Sequence, residues 1–435
     1  MSTATTPAPT VPGEPAAPRS TAKPLPPISW RAPIAYAVIG LISLVVFALL
    51  PPGGRETTFR LSTADDFFQI EPITVSSSGA ALFLSILALL LAGLSFWAAR
   101  DRRKVGIWLP IVFGVLVVFA FLCWAGAGKS SIPLTGLLQG SLFLAVPLVF
   151  GALSGVLCER VGIINIAIEG QLLAGAFLAA VVASLTSSAY AGLVAAPIAG
   201  ALVGVLLVIF SVKYWVNQII VGVVLNVLVV GVTSYLYSTV LTADSATWNT
   251  RTPLPVLEIP VLSQIPVIGP VLFRQTLLVY LMYVVVILLQ VFLFKSRWGL
   301  RLRAVGEHPK AADTVGIKVN ATRVRNTILG GAVAGLGGAF FTVAAGLAFG
   351  KEMTGGKGFI ALAAMILGRW NPVGALIAAL LFGFSDNLQV VLGIVGTPIP
   401  SQIMLMTPYV VTIFAVAGLV GRVRPPAAEG IPYVK

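Results

Sequence analysis

Glu169 is the residue in this sequence with the most chemistry to offer. Between Val161 and Val212 it is the only formally charged side chain. The rest of that stretch is apolar enough to lie in lipid. A carboxylate at bilayer depth costs ~2.5–3.5 kcal/mol on insertion scales, so it normally faces water, a protein partner or a conducted solute. Asn165, Glu169 and Gln171 share the segment, and on a helix the spacing of four puts Asn165 and Glu169 on one face. Such a face can line a conduit or gate. It can equally clamp two helices or cap a helix end. Glu159 and Arg160, just before it, read as an interfacial ion pair closing the preceding helix.

A second polar set consists of Asp386, Asn387 and Gln389 inside the apolar run 373–394, with Asn217, Gln218 and Asn226 in the run 217–240. Side chains of this kind can hydrogen-bond a hydroxylated solute without trapping it. They also serve as interhelical glue worth ~0.6–2 kcal/mol each. Asn226 reads as glue, Asp386 and Asn387 as pathway residues, and Asn217 and Gln218, close to Lys213, as interfacial. Covalent chemistry has little support. The single histidine, His308, has no second histidine to share a zinc ion, and no nucleophile constellation of the Ser-His-Asp kind is read around it. Cys123 and Cys158 are isolated and read as small apolar core residues. The Gly-rich run 330–338 lacks the Lys-Ser/Thr of a phosphate-binding loop. Gly331-xxx-Gly335 and Gly200-xxx-Gly204 instead suit close helix packing.

The elements that must position these residues follow from composition. Of 435 residues, 57% are hydrophobic and only 10% charged, whereas soluble domains carry roughly 25% charge. Apolar runs recur at 33–50, 79–98, 106–126, 134–157, 189–210, 217–240, 275–294, 326–349 and 373–394. Each is near the roughly 17–25 residues that span hydrocarbon as a helix, and none alternates as barrel strands do. The expected fold is an all-α polytopic membrane protein with about twelve crossings.

The net charge of +13 is concentrated in short loops, at 100–104, Lys213 and 295–325. This follows the positive-inside rule, and with no nucleic-acid motif present a nucleic-acid polymer is not an expected partner. The same rule places both termini in the cytoplasm and the loop 51–78 outside. Residues 1–32 read as a disordered Pro-rich tail and not a cleavable signal peptide, with eight prolines before residue 30. Three spans over 33–126, a core over 134–420 and a C-terminal tail over 421–435 complete the expected organisation.

Two segments are irregular. Residues 359–368 are too short to cross, and Gly162, Asn165 and Gly170 interrupt the stretch 162–170. Charge places their starts on opposite membrane faces, as in inverted repeats with interrupted helices beside a substrate path. Between spans, the loop 301–318 contains Pro309, suited to the first turn of a short helix, Glu307 near its positive end and Gly316 to end it. The loop is either a docking knob or a solvated turn, and composition alone favours the latter.

Three blocks shift that balance: ERVGIINIAIEGQLLAGAF (159–177), RAVGEHPKAADTVGI (303–317) and GGKGFIALAAMILGRWNPVGAL (355–376). They resemble signatures of the permease subunits of ABC importers, in the nucleoside and simple-sugar branch of the branched-chain amino acid and ribose permease superfamily. The resemblance covers about 134–420. It implies an ATP-driven importer of nucleosides or related sugar-bearing solutes, with a second homologous permease, an ABC ATPase and an extracellular substrate-binding protein as partners. It also implies that ATP and magnesium are held by the ATPase and that this chain itself is no enzyme. The loop then becomes the coupling helix, with Gly306, Glu307, Lys310, Ala311, Ala312, Asp313 and Gly316 as docking candidates. Asn165, Glu169, Asp386 and Asn387 remain the candidates for the pathway. The spans at 33–126 are an extension beyond the usual core. Permeases for simple sugars or branched-chain amino acids remain alternatives. So does an ion-coupled transporter using Glu169 and Asp386, although the knob would then lack a purpose.

Overall fold

The computed structural model describes residues 30–434 apart from 52, 104, 107, 130, 398–401, 404–405 and 407–423. Residues 1–29 of the expected Pro-rich tail and nearly all of 398–423 lie outside the described residues, and residues 31 and 32 of that tail already belong to the first helix. Helices dominate: α1 (Arg31–Ser43), α2 (Ser77–Arg100), α3 (Trp108–Ala125), α4 (Leu134–Glu159), α5 (Ile168–Thr186), α6 (Ala189–Val208) and α7 (Gln218–Leu236). They continue with α8 (Ser245–Trp248), α9 (Leu277–Lys295), α10 (Arg297–Glu307), α11 (Pro309–Thr314), α12 (Val319–Ala339), α13 (Lys357–Leu367) and α14 (Pro372–Val395). Among the described residues ten helices are long and apolar enough to cross a membrane. One of them, α5, is absent from the runs expected from sequence.

Helix α4 forms the axis, with 89% of its apolar window buried, followed by α12 at 78% and α5 at 67%. Lipid offers no hydrophobic drive for helices to associate, so backbone proximity matters. The small residues expected to supply it do so where α6 crosses α12. A β-carbon at Gly200 would collide with the Gly331 carbonyl, and one at Gly331 with the Gly200 carbonyl. Helices α1–α3 are far more exposed and join the core through the far end of α14. There Leu388, Val391, Leu392 and Val395 pack with Phe59, Leu122, Ile132 and Leu137.

Two small sheets, not anticipated from the apolar runs, sit in the connections at one end of the bundle. Strands β1 (Glu56–Arg60), β2 (Ile73–Ser76) and β3 (Ile132–Pro133) pair in the order β2-β1-β3. Strands β4 (Val256–Glu258) and β5 (Arg274–Thr276) form an antiparallel pair. Arg274 joins the two regions through ion pairs with Asp65 and Glu258. Helices α10 and α11 lie at the opposite end.

The two irregular segments enter the bundle from those opposite ends. Residues 160–167 turn at Gly162, with φ +87°, and run back along α4. A β-carbon on Gly151 or Gly155 would therefore meet the Ile168 side chain at the start of α5. From the other end, the chain after α12 passes Asn249, whose side-chain oxygen accepts from the Phe349 amide (2.7 Å). It then reaches α13, whose 11 residues rise only about 16 Å. Both short entries stop at the same place, where α5 and α13 begin.

Candidate functional site

Glu169 stands in the first turn of α5 and caps the start of α13. Its Oε1 accepts from the Thr354 hydroxyl (2.6 Å) and the Gly356 amide (2.9 Å), and its Oε2 from the Gly358 amide (2.6 Å). The carboxylate thus lies between two helix N-termini, each carrying a positive dipole end. Hydrogen bonds to a charged group contribute ~1.5–3 kcal/mol each. Three of them, with two dipoles, account for an anion that is only 8% exposed. Gly358 is required by the close approach, since a β-carbon there would lie 2.5 Å from the Glu169 backbone nitrogen.

One residue along, Lys357 points to Asp386 of α14, and the two form an ion pair. Their side chains are 26% and 11% exposed, so the pair is partly desolvated. A lysine at a helix N-terminus opposes the dipole, and Asp386 offsets that cost. Asn387 donates to the Leu137 carbonyl of α4 (2.7 Å). Asp386 and Asn387, adjacent in sequence, therefore hold α14 against α13 and α4 respectively.

Asn165 and Glu169 do not share a face. Helix α5 starts only at Ile168, so Asn165 belongs to the re-entrant turn, where the four-residue spacing has no helical meaning. Its amide donates to Ser154 (3.1 Å) and to Gln171 Oε1 (3.0 Å), a fully buried knot against α4. Asn226 acts as glue from α7, accepting from the Gly170 amide (2.8 Å) and donating to the Ile166 carbonyl (2.9 Å). Gln218 accepts from the Ile164 amide (2.7 Å).

The expected Glu159–Arg160 ion pair does not form, because the helix ends between them and the side chains diverge. Glu159 accepts from Trp370 Nε1 and faces the carboxyl of Glu429. Arg160 donates to the Trp370 carbonyl (2.9 Å) and lies over the Phe294 ring. Burial pulls the Arg160 guanidinium below its ordinary pKa, with Glu307 pulling it back up. Beyond it, α11 has Pro309 in its first turn, and the chain leaves it through Gly316 at φ +83°. Lys310 and Ala311 are exposed, Ala312 is buried against Val305 and Val319, and Gly306 lies on the Arg160 backbone. Glu307 accepts from the Ala427 amide (3.3 Å).

Residues 137–416 match the model of the branched-chain amino acid transport system/permease component family. The chain belongs to that family. Among relatives, the permease is 39% identical over 304 residues to the nucleoside ABC transporter permease protein NupC of Lactococcus lactis, covering 68% of this chain and 95% of that one. It is 36% identical to the guanosine ABC transporter permease protein NupQ of Bacillus subtilis, covering 69% and 96%. It is 31% identical to a putative glucose ABC transporter permease protein, TsgC13, of Haloferax volcanii, covering 64% and 89%. No solved structure gives a significant match. The family match runs from within α4 through α14, and so takes in the Glu169 geometry and α11 itself. Helices α1–α3 and the described tail 424–434 lie beyond it.

Sequence reasoning about this permease missed Thr354, Lys357, Trp370 and Arg323. Lys357 lies in the block 355–376, and nothing in the sequence pairs it with Asp386, 29 residues on. Arg323 lies in the basic loop 295–325 by sequence, yet it is 1% exposed. Among the described residues no cluster of three or more His, Cys, Asp or Glu side chains could hold a metal.

Proposed function

We propose that this permease carries nucleosides, or closely related sugar-bearing solutes, across the cell membrane as the integral subunit of an ATP-driven importer. The observation that carries the reading is the near-complete coverage of two relatives named for nucleoside and guanosine transport, at 39% and 36% identity. On this reading α11 docks on a cytoplasmic ATPase that binds ATP and magnesium. Both termini lie on that side, a second permease completes the membrane unit, and an external binding protein delivers solute. The exposure of Lys310 and Ala311 on a short helix at one end of the bundle supports docking there.

Transport requires the bundle to exchange two openings, and ATP must bind the partner differently in each to drive that exchange. The meeting of two interrupted helices at Glu169 supplies a joint between halves that enter from opposite ends. We assign Glu169, Lys357 and Asp386 to this joint, beside the solute route, and Asn165 and Asn387 to the walls that hold it.

Uptake by the reconstituted complex tests the reading. ATP-dependent uptake of labelled guanosine or adenosine is expected, and excess nucleoside should compete while glucose and leucine do not. Competition by glucose or leucine alone would replace the cargo. Uptake by this chain alone under an ion gradient would replace the mechanism.

A further inference from the structure

The described tail, residues 424–434, lies outside the part of the chain that matches the family, yet it is docked on the bundle by bonds to three separate elements. The Ala428 amide donates to the Gly306 carbonyl at the end of α10 (2.8 Å), and the Gly430 amide to the Gly162 carbonyl in the re-entrant segment (3.1 Å). Arg323, in the first turns of α12, donates through Nε to the Val161 carbonyl (3.1 Å) and through Nη1 to the Ile431 carbonyl (2.9 Å). Ala428 is 5% exposed, and a β-carbon on Gly162 would lie 2.8 Å from its carbonyl oxygen. Further on, Tyr433 packs against the cluster formed by Val305, Ala312 and Val319, and its hydroxyl faces the carboxylate of Asp313 of α11.

We propose that residues 426–433 are a strap that ties α11 to the re-entrant segment 160–167, with Tyr433 as the positioning residue on α11 and Arg323 as the anchor. This rests on α11 being the helix that meets the ATPase. Helix α11 has six residues, too few to hold a fixed direction by its own backbone bonds. It has one buried side chain, Ala312, and Tyr433 packs against the cluster that contains it. Three residues before Tyr433 the strap holds Gly162 through the Gly430 amide, and Arg323, which holds Ile431, also holds Val161, a few residues before Asn165 and Glu169. A displacement of α11 therefore reaches the re-entrant segment through the Tyr433 side chain and the Gly430–Gly162 backbone bond, in addition to the contact of Gly306 with Arg160. Tyr433 needs no contact with solute or ATPase for this role.

Hydrogen exchange on the full chain in lipid nanodiscs tests the strap without any ATPase. In Tyr433→Ala, exchange is expected to rise at least tenfold in both 305–317 and 160–166, while α2 and α7 keep wild-type rates. Tyr433→Phe keeps the ring and should raise exchange by less than threefold. Unchanged rates in 160–166 would overturn the proposal, as would an equal rise in α2 and α7, which marks general loosening. In the assembled complex, the ratio of solute-stimulated to basal ATP hydrolysis should fall about fivefold in Tyr433→Ala and hold in Tyr433→Phe. An unchanged ratio in Tyr433→Ala also counts against the strap. Failure of the wild-type chain to bind any ATPase would instead remove the assignment of α11, and the exchange result would stand by itself.

Discussion

Glu169 Oε2 accepts the backbone amide of Gly358 at 2.6 Å, across 189 residues of sequence. One side chain therefore terminates α13 while sitting in the first turn of α5. Glu169→Gln keeps the size but removes the charge from between two helix dipoles and turns one acceptor oxygen into a donor facing an amide donor. The expected loss is ~2–4 kcal/mol of stability, from one mispaired buried bond and weakened charge-assisted bonds. Thermal unfolding of the purified variant in detergent measures it, and an unchanged midpoint would remove Glu169 from the joint.

Gly358→Ala forces a β-carbon to 2.5 Å from the Glu169 backbone, and a rigid main chain cannot give way cheaply. The variant should lose most of its folded yield. Gly393→Ala, in α14 with nothing within 4 Å of the new carbon, is the control. It should be neutral or stabilising by ~0.5–1 kcal/mol through helix propensity. Monodisperse yield on size exclusion compares the two, and equal yields would show that the close approach is dispensable.

Lys357 and Asp386 are expected to behave as a pair. Either Lys357→Met or Asp386→Leu alone leaves one partly buried charge uncompensated, costing ~1–3 kcal/mol after discounting for residual exposure. The double variant should recover most of that loss in stability. A double-mutant cycle on thermal unfolding reads the coupling, and additive single effects would show that the pair does not bind α13 to α14. Uptake by the double variant then reports whether the charges serve transport beyond holding the helices.

Among the described residues the spans other than α5 were legible because hydropathy needs no partner: a run of twenty apolar residues states its environment by itself. The short α13 and the broken start of α5 were legible for the same reason, from length and from Gly162, Asn165 and Gly170. What the sequence withheld was pairing. Glu169 was recognisable as costly, but Thr354, Gly356 and Gly358, which satisfy it, are 185–189 residues away. Asn165 lies three residues before Ile168, where α5 begins, so the helical period that would pair it with Glu169 does not reach it. The two small sheets hid in polar connections of two to five residues per strand, too short for alternation to register. Arg323 looked like any basic loop residue, since the positive-inside rule counts charges without saying which are buried.

The outward side of α11 gives a cleaner test of docking than Asp313 or Glu307 of α10. Glu307 and Asp313 both contact the tail, so their loss mixes docking with strap release. Lys310 and Ala311 are exposed. Lys310→Glu and Ala311→Arg are expected to cut co-purification of the ATPase at least tenfold, about 1.4 kcal/mol, with unfolding temperature unchanged. Normal ATPase yield from both variants would remove α11 as the docking helix.

The tail should also respond to pH through Glu429. Burial raises its carboxyl above the ordinary range, and its facing partner is the carboxyl of Glu159 at the end of α4. The charged groups around the docked tail are Arg160, Arg323 of α12, Glu307 of α10 and Asp313 of α11, and both arginines remain cationic throughout the accessible range. A carboxyl whose pKa is higher docked than free binds more proton in the docked state. Docking is therefore favoured below the raised value and weakens as pH climbs through it. Two ionised carboxylates would then repel across a poorly hydrated gap. Glu429→Gln supplies a neutral donor in place of that proton, so its tail should stay docked at every pH. Hydrogen exchange of residues 424–434, followed from the ordinary carboxylate range upward and corrected for the intrinsic rate, should show protection falling with pH in the wild type and level in the variant. The same pH dependence in both proteins would place the titrating group elsewhere.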